Sequence, residues 1–328
     1  MSIDTQSRHK CIWLTYFRCG IFTGKIETVR WTGHLAECLD ILEQAEDHPS
    51  DNVLASFIRL QLIAEDANAL LVRDLMGSHS EDGVPTYVHK QRLLDRLKVV
   101  RERNSQAFSS HCKYPPLNRH CQLLNVLDCL TAHLLSTEAH VQAVGLFSER
   151  PMPDERRVDG LYQCLMSVRG WYDAFFGLPL VEIPPLPFHT YISLSSMQVM
   201  LYRLTTCDFP MWDKSIVRST ADVLDILDRT IDTFQKVPTV YPLRDDEEIG
   251  NLFVNGSRHL KNLRATWQPL IAKHLGSLPT PNSQVLGVSP PELPAGTGGM
   301  DVPLLGDQQG SDFNDMSWMA DFFGPWEL

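Results

Sequence analysis

Any chemistry in this chain would have to start from a few groupings of acids, histidines and cysteines. The densest is Asp245-Asp246-Glu247-Glu248. Carboxylates clustered at a helix end can hold magnesium for diphosphate chemistry, because hard oxygen ligands suit that ion. A helical enzyme of the terpenoid type would also need a second ligand set, of asparagine, serine and glutamate, on a facing helix. Asn251, Asn255 and His259 share a face further along, but the acid of that set is missing. Acids in a first helical turn complement the helix dipole without any catalytic role. His111-Cys112 and His120-Cys121 offer ligands of the kind zinc takes. Neighbours on a helix point about 100° apart, and neither doublet falls in a CxxC or HxxxH pattern. Asp225, Asp228 and Asp232 share a face opposite Val223, Leu227 and Phe234, which reads as a solvated surface. His133 and His140 are expected on a helix surface. Gly256-Ser257-Arg258-His259 lacks the turn context of a nucleophile, and no GxSxG elbow, phosphate loop or GxGxxG motif occurs. These residues point to a non-enzyme with no metal and no cofactor. The rival from another class is a magnesium-dependent helical enzyme.

A different chemistry is written at the C-terminal end. There Phe313, Asp315, Trp318, Met319, Asp321, Phe322 and Phe323 crowd into one short segment. Trp318 and Phe322 are four apart, as are Met319 and Phe323, so a helical turn would present four large apolar groups together. The acids keep such a segment soluble, while the aromatics supply buried area once a groove is offered. Recruitment of a partner and docking back onto the chain's own domain use the same physics and stay equally open.

Helices must position all of this, because the apolar residues repeat with helical period. Leu35, Cys38, Leu39 and Leu42 form one stripe. A second helix, capped at Ser50 or Asp51, runs to about Met76 and is apolar almost all round, so it belongs deep in the core. Residues 77–85 read as a loop, residues 86–108 as a helix on Leu93, Leu97 and Val100, and the stretch after Pro115-Pro116 as a helix to about Phe147. Pro151 and Pro153 open the next, carried by Leu161, Leu165, Val168, Tyr172 and Phe175. Four prolines between Pro179 and Pro187 enforce extended or turning backbone. Leu194, Met197, Leu201 and Leu204 carry another helix, ended by Pro210. Trp212-Asp213 starts one that runs through Val223, Leu227, Ile231 and Phe234, and the last uses Leu260, Leu263, Trp267, Leu270 and Ile271. A short strand is conceivable at Val237–Leu243. No repeat of 20–50 residues is present, so an all-α orthogonal assembly is expected rather than a solenoid.

Composition sets the outer limits. Apolar residues make up 43% of 328, enough for a sizeable core, and the formal net charge is -11. After His274 there is no Lys or Arg, while Glu292, Asp301, Asp307, Asp312, Asp315, Asp321 and Glu327 carry most of that charge. Such a balance opposes binding nucleic acid through phosphate contacts. Prolines at 279, 281, 290, 291, 294 and 303, among many Gly and Ser, mark residues 277–311 as a disordered linker. Eight cysteines without a secretory signal fit a reducing compartment, cytosol or nucleus, and Cys38, Cys129 and Cys164 fall on apolar stripes. No run approaches the roughly 18 apolar residues of a membrane span.

Several stretches in order resemble the regulatory region of fungal-specific transcription factors with a six-cysteine binuclear zinc cluster. Cys38-Leu39 leads to Pro49-Ser50-Asp51 and then to a helix containing Arg59-Leu60-Gln61. Trp171-Tyr172-Asp173-Ala174-Phe175-Phe176, with Leu178-Pro179, is followed by Thr190-Tyr191, Leu201-Tyr202-Arg203-Leu204 and Trp212-Asp213-Lys214. The ending Trp318-Met319-Ala320-Asp321-Phe322-Phe323-Gly324-Pro325-Trp326 is similar to the tails of many members. The six closely spaced cysteines and basic linker that precede this region in the family are not seen here; Cys11 and Cys19 do not match them.

The resemblance implies an all-α, orthogonally packed multi-helix regulatory domain at residues 1–276, a linker at 277–311 and an acidic-aromatic helix at 312–328 in a disordered acidic tail. It implies action in the nucleus, on the transcription machinery or a DNA-binding partner factor, rather than direct DNA binding by this chain. It further implies a fungal secondary-metabolite gene cluster as target and a small-molecule effector. A co-regulator without its own DNA module and a gene whose zinc cluster lies in an upstream exon both fit. A non-transcriptional scaffold is the third reading.

Overall fold

The computed structural model describes residues 31–44, 49–75, 85–111, 120–146, 153–240 and 247–276. Every regular element among them is helical, as the 3.6-residue spacing requires. α1 (Gly33–Gln44) and α2 (Pro49–Leu75) are followed by α3 (Thr86–His111), α4 (His120–Ala143) and α5 (Asp154–Phe176). A single 3₁₀ turn at Leu180–Glu182 leads to α6 (Phe188–Thr206), α7 (Lys214–Thr220), α8 (Val223–Val240) and α9 (Glu247–Gly276).

The ends of these helices follow from local chemistry. Thr32 Oγ1 accepts from the Leu35 N–H and so caps α1. Pro49 supplies a preset φ at the first position of α2, with Asp51 at the positive end of the dipole. Asp213 accepts from the Ser215 N–H at 2.8 Å and starts α7. Asp222 accepts from Leu224 N–H at 2.9 Å and starts α8. The single helix expected from Trp212 onward is therefore two, because each of these aspartates captures the backbone donors of a new first turn. The strand envisaged at Val237–Leu243 is also overturned for its first part: Val237 to Val240 complete α8, with Pro238 inside the helix. β-branched residues form strands only where a neighbouring strand can pair with them, and none is offered among the described residues. The rest of that stretch lies outside the described residues.

α4 packs most extensively on α5, α9 on α8, and α2 against both α3 and α4. α6 runs among α4, α5, α7, α8 and α9. Its Ile192, Met197, Met200, Leu201 and Leu204 are essentially inaccessible, and Thr190, Ser193, Ser195, Gln198 and Thr205 are buried beside them. Small hydroxyls survive there because they donate to their own helix, as Thr205 Oγ1 does to the Leu201 carbonyl at 2.8 Å. One apolar core extends from Leu60 and Ile63 on α2 through Leu165 and Trp171 on α5 to Phe253 and Ile271 on α9. α1 belongs to a separate small cluster, Leu39 and Leu42 against Ala55.

Most stripe residues read from the sequence are buried, including Leu93, Leu97, Leu161, Phe175, Leu227 and Leu260. Cys38 is exposed and Leu270 is 43% exposed. Both lie at the margins of their stripes, and α1 and the C-terminal half of α9 are each covered on one side only.

Candidate functional site

The terminal residues singled out by spacing, Phe313, Asp315, Trp318, Met319, Asp321, Phe322 and Phe323, lie outside the described residues, as do the linker, Cys112 and Asp245-Asp246. His111, His120, Cys121, Glu247 and Glu248 fall within helices, but their side chains lie outside the described set. Among the described residues no group of three or more His, Cys, Asp or Glu side chains is arranged to hold a metal ion.

Two histidines correct the sequence reading. His133 is 2% exposed and His140 is likewise buried, rather than lying on the surface. α4 is covered by α2, α3, α5 and α6, which leaves it few wet positions. The His133 ring stacks on Phe57 with centroids 5.5 Å apart and lies 5.5 Å from the His189 ring. An imidazole face packs like a small aromatic ring. This trio joins α2, α4 and α6 as an element of the core.

A cleft of about 530 Å³ opens where α3, the end of α4 and the start of α5 meet. It is built in steps that the sequence dictates. α4 stops at Ala143, and Gly145 adopts φ 77°, a left-handed conformation that costs a glycine little. That reversal sends Leu146 back into the core, where it is inaccessible to solvent. Leu146 packs against the bare backbone of Gly160 on α5: a Cβ there would lie 2.7 Å from Leu146 Cδ2 and 3.0 Å from Lys90 Nζ. The glycine thus admits the Lys90 side chain, only 9% exposed, to the inner wall of the cleft.

Lys90 Nζ donates to the Gln142 carbonyl at 2.7 Å, closing the buried C-terminal end of α4 with a cation where the helix dipole is negative. Burial pushes its ammonium down to about 8, against the pull of Cys164 and Asp159. At the mouth, the Arg156 guanidinium lies over the Tyr87 ring, 4.8 Å from its centroid. Asp159, Gln91, Val88 and Leu94 complete the walls. The arrangement combines a dry cation, a wet cation held on an aromatic face, and apolar wall. Its volume falls in the range of small-molecule sites, and it contains no nucleophile–base pair among these residues.

None of these residues was singled out by sequence motifs, yet one signal was present. Lys90 stands on the Leu93, Leu97 and Val100 stripe of α3, and so does the buried Asn104, which accepts from Ser56 Oγ at 2.6 Å. A lysine in an apolar register must find an acceptor inside. The partner, a backbone carbonyl 52 residues away, has no sequence signature.

Of the segments quoted for the family resemblance, those around Leu60 and within 171–212 contribute to the core, and the ending at 318–326 lies outside the described residues. Arg59 pairs with Glu43 while Leu60 and Gln61 are buried. Trp171 stacks on Phe175 at 5.3 Å, and Trp212 Nε1 donates to the Leu204 carbonyl.

A family model described as a C-terminal domain, ATEG07667_C, matches residues 180–327. The chain is 30% identical over 251 residues to "Transcription factor opdL" of Penicillium oxalicum, which is 75% of this chain and 41% of that protein. It is 26% identical over 213 residues to a "Transcription factor" of Aspergillus terreus, 62% of this chain and 35% of the relative. The chain therefore spans well under half the length of these curated relatives. No solved structure matches it. Over most of its length, this helical chain is similar to a part of proteins named as fungal transcription factors.

Proposed function

We propose that the chain is a non-enzymatic transcriptional regulator that acts in the nucleus through protein contacts. In this reading residues 1–276 are the regulatory domain, 277–311 a linker, and 312–328 the segment that engages the transcription machinery or a DNA-binding partner factor. The anchors are Phe313, Trp318, Met319, Phe322 and Phe323, with Asp315 and Asp321 as steering charges. Its target is a fungal secondary-metabolite gene cluster. The observation that carries the reading is the likeness, over 75% of the chain, to a protein named a transcription factor. The excess of acid after His274 agrees with it, since that end has no cation with which to hold a phosphate backbone.

The test is a reporter assay with the full chain fused to an unrelated DNA-binding domain. Activation of roughly tenfold or more is expected, and a triple Trp318→Ala, Phe322→Ala and Phe323→Ala variant should lose most of it. Hot-spot aromatics of this kind carry about 2 kcal/mol or more each. Equal output from the two fusions, at equal protein levels, would remove the terminal segment from the mechanism.

A further inference from the structure

The α3–α5 cleft contains a buried cation whose hydrogen-bonding capacity exceeds its use. An ammonium has three N–H donors, and the Gln142 carbonyl takes one of those on Lys90. A buried polar group is held at a cost unless it is paired, so the free donors form a standing invitation to an acceptor entering the cleft. Arg156 supplies a second cation at the mouth, its planar fork held over the Tyr87 ring. Asp159 is the one acid among the cleft's lining residues. Two cations against one carboxylate leave a single positive charge, which suits a monoanion and would leave a phosphate dianion undercompensated. Val88, Leu94 and the Tyr87 ring add apolar surface that an inorganic ion could not use.

We propose that this cleft binds a small organic carboxylate, its anion between Lys90 Nζ and the Arg156 guanidinium and its apolar body against Tyr87, Val88 and Leu94. Gly160 is the specificity-setting backbone: it makes room for both the ammonium and Leu146, so the dry end of the site exists only while this position lacks a side chain. The proposal stands independently of the transcription reading, since binding is measured on the chain itself.

The experiment is calorimetric and saturation-transfer titration of the full chain with 2-naphthoate, with 2-naphthamide as the neutral isostere and inorganic phosphate as the bare anion. Saturable binding of 2-naphthoate in the range of about 0.1–1 mM is expected, at least tenfold weaker for the amide and unaffected by equimolar phosphate. Arg156→Ala and Tyr87→Ala, both at exposed positions, should each weaken it by roughly three- to tenfold, in line with charge-assisted and cation–π contacts. Lys90→Gln should abolish it; because Lys90 also closes α4, its thermal transition is measured alongside, and the two exposed variants keep the test independent of folding. Binding should weaken between pH 7 and 9 as Lys90 loses its proton. The titratable and charged groups facing it are Tyr87 from α3 and Arg156, Asp159 and Cys164 from α5, beside the Gln142 carbonyl from α4, and burial pushes the Cys164 thiol up to about 12, outside this window. Equal affinity for acid and amide, displacement by equimolar phosphate, absence of binding by any probe, or retention of full affinity in Arg156→Ala and Tyr87→Ala would each overturn the assignment.

Discussion

Glu65 on α2 is held between opposed influences. Burial pushes its carboxyl up to about 7, the neighbouring Asp66 charge adds to this, and the Gln61 amide donating to Oε1 at 3.0 Å works the other way. A carboxyl raised in the folded state takes up a proton on folding, so its contribution is complete below the unfolded value near 4.5 and is lost as pH rises through 7. Glu65→Gln, neutral at every pH, should therefore stabilise the protein by about 2 kcal/mol at pH 8 and by almost nothing at pH 4.5. Urea unfolding at the two pH values measures this, and equal gains at both would defeat it. The residue scale is also where the sequence was least legible. Lys90 could be seen on an apolar stripe, but its acceptor and the glycine that admits it are brought together only by the fold. His133 and His140 read as polar letters, and nothing in their neighbours revealed that α4 would be covered on several sides.

At the scale of elements, stripes and breakers carried most of the information. The helix-forming segments of α1 to α6 follow from apolar spacing, with boundaries a few residues from those expected. What periodicity missed was capping: Asp213 and Asp222 divide a continuous stripe into α7 and α8 because backbone donors, not apolar residues, decide where a helix begins. α1 shows the opposite balance, a helix held by charge more than by core. Its Glu43 accepts from Arg59 Nε at 2.8 Å and from Arg59 Nη2 at 3.0 Å, and it pairs with Arg103 on α3 at 3.0 Å. The Arg59 hydrogen bond foremost, with Arg103 beside it, holds this carboxyl below its usual range. With a small satellite cluster beneath it, α1 should open locally. Its amides should exchange faster than those of α4 to α6, and Glu43→Gln should lower α1 protection by about tenfold, as loss of charge-assisted bonds costs roughly 1.5 kcal/mol or more. Hydrogen exchange reads both; a parallel fall in α5 would mean that α1 is not an independent unit.

Among the described residues, the main core depends on α6. The core it organises is continuous from α2 to α9, so unfolding of this region should be a single transition. Leu201, inaccessible at the centre of that helix, is the natural probe. Leu201→Ala should cost about 3–4 kcal/mol by leaving a cavity, and circular dichroism and Trp fluorescence should report the same lowered midpoint. Two separate midpoints would divide the core into independent parts. The position of α6 also has a kinetic meaning. The largest helix pairings, α4 with α5 and α8 with α9, join neighbours in sequence and close only short loops, which favours early formation. A helix buried on nearly every side has no stable seat until both hairpins stand. α6 is then the keystone set last, and the cost of Leu201→Ala should fall on the rate of unfolding rather than on the rate of refolding.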